Sequence, residues 1–406
     1  MVTTASLKTA ARPKRDCIVC KNGRIVPMIA IDRIPILCSV QWPTREDALN
    51  APRGNIDLGF CPECGHIYNR VFDPDVLEYS DAYDSSLHYS ASFNRYAEAL
   101  ADRLIDKYQL HGKNIIEIGC GKGEFLAMLC ERGDNRGLGF DVSYEPERTQ
   151  ASERVIFIKD YFHEKYLEAD ADLVVCRHVL EHISHPVSFL ATVRQALGER
   201  TQTVVYFEVP NVLFTLKDLG IWDLIYEHCS YFSPASLHSA FIRSGFRVSE
   251  MNVAFDGQFL SIEATPGPEA IQQEDPPEIS QKDEELLCLE RYVAAFQENY
   301  LRKLEEWRTR LQGSKEQRKR TVLWGAGAKG VIFLNAFASG NAVEYVVDIN
   351  PHKQGLYVPG SGQQIVPPEF LTAYRPDQVI VMNSIYRDEI KRQLEGLGVT
   401  AEVCCA

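Results

Sequence analysis

Residues 114–133, NIIEIGCGKGEFLAMLCERG, constrain the fold more than any other stretch of this chain. The apolar run Ile115 to Ile118 predicts a strand. It enters Gly119-x-Gly121-x-Gly123 and then a segment with the apolar spacing of an amphipathic helix. Glycines at a strand-to-helix turn let the backbone approach a ligand where a side chain would clash. The spacing is one residue short of the Gly-x-Gly-x-x-Gly that cradles a pyrophosphate in nicotinamide-binding domains. Glu117 sits on the strand just before the loop, and the next predicted strand, RGLGFDVS, ends at Asp141, placed for ribose hydroxyls. VIFIKDYF sets Asp160 beside Tyr161, a carboxylate for an adenine amine and a ring for its face. ADLVVCRHVLEHISHP reads as a fourth strand running into a helix.

This series resembles the class I S-adenosylmethionine-dependent methyltransferases over about residues 110–265. The resemblance implies an α/β, Rossmann-like domain: a mostly parallel sheet with helices on both faces and the ligand over the carboxyl ends of the strands. It implies that Glu117 and the loop of Gly119, Gly121 and Gly123 hold the methionine part of the cofactor, Asp141 the ribose, and Asp160 with Tyr161 the adenine.

The chain has 406 residues, too many for one ordinary core, and its apolar fraction of 45% is that of a globular protein. No apolar run reaches about 18 residues, so no membrane span is expected. The basic start, MVTTASLKTAARPKRD, lacks an apolar core and reads as a floppy tail rather than a secretory signal. A formal charge of −13 argues against nonspecific binding to nucleic acid or anionic membrane. Twelve cysteines in a large chain without an export signal point to a cytoplasmic protein with free thiols, some of them metal ligands.

Cys17 and Cys20 in CIVC, and Cys61 and Cys64 in CPECG, form two Cys-x-x-Cys turns, which together supply a tetrahedral set of four thiolates for zinc. Four protein ligands leave no open position, so the zinc is expected to be structural. GRIVPMIAI and PILCSV between the pairs read as strands of a small module over residues 1–75, with Cys38 a core residue. No basic stripe interleaved with aromatics accompanies it, so a nucleic-acid ribbon is disfavoured.

Near the carboxyl end, RTVLWGAGAKGVIFLNAF repeats the strand, glycine turn and helix as Gly325-x-Gly327-x-x-Gly330, and VEYVVDINPHKQG follows as a strand ending at Asp348. The residues left make only half of a dinucleotide-binding domain. Such a half-site can cradle a nucleotide's phosphates at the helix start, with Lys329 and Lys353 offsetting charge; the bland alternative is that the glycines only make turns. Before it stand an acidic linker, QQEDPPEIS, and one long amphipathic helix with Leu286, Leu289, Val293, Phe296, Tyr300, Leu304, Trp307 and Leu311 on one stripe. That stripe is expected to pack on the chain's own domains, with dimerisation as the alternative. The expected order is a zinc module (1–75), the methyltransferase domain (76–270), linker and helix (271–320) and a small Rossmann-like nucleotide- or substrate-binding domain (321–406).

This order resembles the sugar C-methyltransferases that act on nucleotide-linked keto-deoxysugars, carried by the four cysteines and by YSDAYDSSLHYS, WDLIYEHCSYFS, WGAGAKGVIFLN, DINPHKQGLYVPGSGQQI and VIVMNSIYRDEI. The resemblance implies an active site at Tyr226, Glu227 and His228, with a histidine as base. A carbon beside a ketone must lose a proton before it attacks a methyl group, and an imidazole takes that proton near neutral pH. Glu227 would orient the imidazole, Tyr226 or Tyr83 would donate to the enolate oxygen, and His178 is a second acid/base candidate or a residue packed near the cofactor. Tyr226 and Glu227 are adjacent here, one residue closer than is usual in the family, which on an extended segment puts them on opposite faces. C- or O-methylation of another small intermediate is the alternative enzyme. A zinc-ribbon regulator that reads the cofactor as a signal is a different class, against which the base cluster argues. Monomer and homodimer both remain open.

Overall fold

The computed structural model describes residues 16–21, 24–149, 152–163, 166, 170–267, 279–338 and 342–406. The expected amino-terminal tail up to residue 15 and most of the acidic linker lie outside the described residues.

The central sheet has seven strands. Leu173–Arg177 is buried at every position, as a strand covered on both faces must be. It lies between Val204–Pro210 and Asn114–Ile118, and Arg136–Phe140 and Val155–Ile158 extend the sheet in parallel. On the other side Phe259–Pro266 pairs antiparallel with Val204–Pro210, and Phe246–Ala254 pairs antiparallel with it in turn. Numbered within this sheet, the order is 6-7-5-4-1-2-3, and only strand 7, Phe259–Pro266, runs against the others. The order reverses direction at Asn114–Ile118, so its carboxyl end is a switch point where ligands bind. The helix Ala91–Tyr108 covers one face; it is capped by Ser90, whose hydroxyl accepts from the Phe93 N–H, and it ends at Gln109 in the left-handed region.

The carboxyl-terminal sheet is fully parallel, in the order Gln364–Val366, Val343–Val347, Thr321–Trp324, Gln378–Val381, Glu402–Cys405. The helix Ile279–Glu316 has 38 residues. Leu289, Val293, Phe296, Tyr300, Trp307 and Leu311 are buried in one cluster with the amino-terminal and carboxyl-terminal sheets, so the stripe is spent on the chain's own core.

The amino-terminal sheet differs from the expectation. Its strands are Val26–Pro35, Arg53–Phe60, Ile67–Asn69 and Ser230–Tyr231. PILCSV is no strand beyond Pro35, because the Cys38 N–H donates to the Glu227 carboxylate instead of a ladder. The fourth strand comes from the middle of the chain: Ile67 faces Tyr231 and Tyr68 faces Ser230. The cysteine module and the stretch around His228 therefore share one sheet.

Candidate active site

One cavity of about 780 Å³ opens where the carboxyl ends of the central and carboxyl-terminal sheets face each other, and both glycine loops line it. On the central side Gly119 and Gly121 take positive φ (72° and 56°). A Cβ on Gly119 would meet Val179 at 2.1 Å, whereas one on Gly121 would meet nothing within 4 Å. Gly119 is thus required by packing and Gly121 leaves backbone open to a ligand. Asp141 accepts from the Gly121 N–H at 2.8 Å and from the Ser143 N–H and hydroxyl at 2.7 Å, so it also clamps the loop. Asp160 accepts from the Tyr161 N–H and the Tyr166 hydroxyl, and the exposed Tyr161 ring borders the cavity. Glu117 is buried; desolvation raises its carboxyl to about 8, and one oxygen has no hydrogen-bond partner. An open glycine backbone, an orphaned carboxyl for an amino group and Asp141 at the next strand end fit the methionine and ribose of S-adenosylmethionine.

The acceptor side is built by the turn after Leu173–Arg177 and by residues 225–228. His228 lines the cavity and makes no hydrogen bond among the described residues. Burial, with help from the charges of His182, His178 and Lys329, holds its imidazole well below the ordinary histidine range, so its lone pair is free at neutral pH. The His182 ring stands edge-on to it at 4.9 Å, with its Nδ1 3.1 Å from the Tyr79 hydroxyl. His178 also lines the cavity, on backbone held at φ 56°. Burial would lower its imidazole, but Glu181 and Glu208 outweigh that and raise it to about 9. His178 Nε2 stands 3.2 Å from Glu208, an ion-pair distance that favours the protonated ring, whereas His228 makes no ion pair among the described residues. Arg177 donates to the same Glu208 oxygen at 3.0 Å. Tyr83 lines the cavity, and burial beside Glu227 pushes its phenol far up, keeping the proton needed for donation.

Two expected residues stand elsewhere. Tyr226 turns out of the cavity: its hydroxyl meets the Asp73 backbone, and its ring lies on Phe72. Residues 226–227 form a turn rather than extended chain, and Ile225 lines the cavity instead. Glu227 does not orient His228. It is fully buried, accepts from the Cys38 N–H at 2.9 Å, and is raised to about 7 by desolvation. His182 and Glu181 were not singled out in the sequence; their only signal was LEHISHP beside the fourth strand.

Across the cavity, Gly325 takes φ 112°, and a Cβ on Gly325 or Gly327 would meet nothing within 4 Å. Gly330 has a packing reason, since its Cβ would lie 2.2 Å from the Gly325 carbonyl. Gly327 begins the helix Ala328–Ala336 with no side-chain cap, leaving helix-terminal N–H groups for an anion. Asp348 clamps this loop, accepting from the Ala326 and Asn350 N–H groups. Lys329 and the buried Lys353 line the cavity; Lys329 donates to Gln258 and pairs with Asp223 at 3.1 Å.

Cys17, Cys20, Cys61 and Cys64 are buried and form no disulfide, with all four sulfurs within 4.8 Å of one another and two pairs at 3.6 Å. Sulfurs 2.3 Å from one tetrahedral ion stand roughly 3.8 Å apart, so the cluster fits zinc. The Val19 N–H donates to the Cys17 sulfur, as knuckle amides do to a thiolate.

The family comparisons agree with this geometry. A family described as "Methyltransferase domain" matches residues 89–250, and one described as "C-methyltransferase C-terminal domain" matches residues 272–400. The chain is an S-adenosylmethionine-dependent methyltransferase that carries a methyltransferase domain and a C-methyltransferase carboxyl-terminal domain. This methyltransferase is similar to C-methyltransferase NovU of Streptomyces niveus, with 25% identity over 95% of this chain and 93% of the relative. Among solved structures it superposes on the N,N-8-amino-8-demethyl-D-riboflavin dimethyltransferase RosA of Streptomyces davawensis (21% identity, TM-score 0.35, 44% of this chain and 56% of that one). It also superposes on the magnesium protoporphyrin IX methyltransferase ChlM of Synechocystis PCC 6803 (15%, TM-score 0.34, 43% and 84%). As a methyltransferase it takes a small-molecule substrate. No helix of the described residues is long and apolar enough to cross a membrane.

Asp141→Ala in this methyltransferase removes the carboxylate that clamps Gly121. Cofactor affinity is expected to fall by about 1.5–3 kcal/mol for each charge-assisted hydrogen bond lost, with acceptor affinity nearly unchanged. Calorimetry checks it; unchanged cofactor affinity would place the ribose site elsewhere.

Proposed function

We propose that this enzyme C-methylates a nucleotide-activated keto-deoxysugar, and that its four thiolates hold a structural zinc ion. The observation that supports it best is the unbonded His228 imidazole in a cavity lined by both glycine loops. A nucleotide's phosphates fit the open backbone at Gly325 and Gly327, which brings the sugar toward His228. His228 takes the proton from the carbon next to the ketone. The electron pair left behind forms an enolate, whose oxygen receives a hydrogen bond from Tyr83 and faces the fixed charge of His178. S-adenosylmethionine, when bound, supplies an electrophilic sulfonium methyl to which the enolate carbon bonds as the carbon–sulfur bond breaks. The chain's part is to hold carbon and methyl in line and to keep water out. None of the twelve cysteines, all among the described residues, forms a disulfide, which fits a cytoplasmic setting.

Purified enzyme, labelled S-adenosylmethionine and a panel of nucleotide keto-sugars test the reading: label on the sugar carbon supports it, and label on oxygen or on none of the panel refutes it. Gly327→Val tests the nucleotide side. Gly327 has φ −81° and open space at its Cβ, so valine fits the fold and blocks only the ligand. Acceptor KM should rise at least about tenfold, the equivalent of one phosphate hydrogen bond, with cofactor affinity unchanged. An unchanged KM would leave the loop a structural turn.

A further inference from the structure

Glu181 is an unusual group for the floor of an active site. It is 1% exposed and lines the cavity, yet neither carboxylate oxygen has a hydrogen-bond partner. One oxygen lies 3.7 Å from His178 Nδ1, too far for a hydrogen bond, and the other meets no donor. A buried acceptor left unpaired is costly unless a ligand completes it. Glu181, His182 and His228 each offer an atom within 4.8 Å of the others. Whatever Glu181 binds therefore sits within a bond or two of the carbon that His228 deprotonates.

A carboxylate cannot receive a ketone or enolate oxygen, because both are acceptors. It needs a donor, a hydroxyl or an ammonium. Charge decides between them. Glu208 and Glu181 are matched by Arg177 and the His178 imidazolium, and Lys329 is matched by Asp223. The charges around Glu181 are already matched by these pairs, so an ammonium would add an unmatched cation beside His178, while a hydroxyl adds none. Resting on the reading of His228 as base, we infer that Glu181 is the specificity residue that receives a hydroxyl of the acceptor on or next to the methylated carbon. Ketone and hydroxyl are then read by opposite walls, donors on one side and Glu181 on the other, which fixes the face of the enolate presented to the methyl group.

The test pairs a nucleoside-diphosphate 4-keto-6-deoxyhexose with counterparts in which a hydroxyl on or beside the carbon flanking the ketone is replaced by hydrogen or by an amino group. Wild-type enzyme is expected to favour the hydroxyl form over the hydrogen form by about 10- to 150-fold in kcat/KM, the range of a hydrogen bond to a charged group. The amino form should be no better than the hydrogen form. In Glu181→Leu the preference should collapse toward unity, with cofactor affinity unchanged. The melting temperatures of Glu181→Leu and Glu181→Gln supply an independent reading. A carboxylate kept for a ligand burdens the free enzyme, so both variants should melt no lower than wild type. A preserved hydroxyl preference in Glu181→Leu, a preferred amino form, or a clear drop in melting temperature in both variants overturns the inference. If wild type turns over none of the panel, the sugar reading is what fails, and the melting temperatures alone decide for Glu181, a fall counting against it.

Discussion

His228→Asn is expected to lower the rate of methyl transfer by about 10²–10⁴-fold, the usual weight of a positioned general base. Asparagine keeps much of the volume and loses the proton acceptor. His228 makes no hydrogen bond among the described residues, and Asp141, Gly121 and Glu117 stand on other elements, so cofactor affinity should hardly change. Solvent deuterium offers a sharper measurement. Proton removal next to a ketone can precede methyl transfer, so wild type should exchange that proton without turnover and the variant should not. An enzyme that methylates oxygen shows no such exchange in either form. The pH profile carries its own signature. His228 is held well below 6.5, so its basic form persists through neutrality, and kcat/KM should decline only as pH falls below the ordinary histidine range. For stability, this depressed imidazole contributes above its unfolded pKa and loses that contribution as pH falls through its folded one. His178 runs the other way: raised to about 9, it contributes fully below about 6.5 and loses its contribution as pH rises toward 9. Near-normal turnover in His228→Asn would make the turn at 226–228 scaffolding and move the search for the base to His182 or His178.

Removing the proposed zinc ion from the four-cysteine cluster, by chelation or by Cys61→Ser, is expected to abolish turnover while largely sparing cofactor binding. Binding of zinc by four thiolates is worth on the order of 10 kcal/mol in small modules, so its loss should unfold the local sheet. That sheet supports the turn that leads to His228. Ile67–Asn69 pairs with Ser230–Tyr231, the Asn69 N–H donates to the Cys229 carbonyl at 2.9 Å, and the Cys38 N–H holds Glu227. His228 lies between these anchors. Gly119, Gly121 and Asp141 belong instead to the seven-stranded sheet, with its own hydrogen-bonded neighbours. Hydrogen exchange should show protection lost together over residues 53–69 and 226–231, with S-adenosylhomocysteine binding retained by calorimetry. Full turnover in metal-free protein would count against this coupling.

Residues that act through local backbone chemistry were legible from the chain alone. Gly119-x-Gly121-x-Gly123 needs positive φ or close approach whatever surrounds it, and Asp141 and Asp348 each end the strand after a glycine loop. Two Cys-x-x-Cys turns announce a metal cluster because each turn already points two sulfurs one way. The apolar stripe of Ile279–Glu316 likewise follows from helical period. The residue types at 226–228 marked the stretch that brings His228 to the cavity, but their directions did not follow from spacing. A turn at 226–227, set by contacts with Phe72, Asp73 and Cys38 far away in the chain, sends Tyr226 out and buries Glu227. Glu181 and His182 carried no distinguishing pattern, since a Glu-His pair after a strand reads like any helix start; only the cavity shows that one has no hydrogen bond and the other abuts His228. The sequence by itself determined the strand–glycine–helix units, the thiol cluster and the chemistry available, because these depend on neighbours within a few residues. The tertiary structure alone decided that Ser230–Tyr231 completes the amino-terminal sheet, that both glycine loops face one cavity and that His178 rather than His228 meets a carboxylate in an ion pair, because each depends on burial and charge brought together by separate elements of the chain.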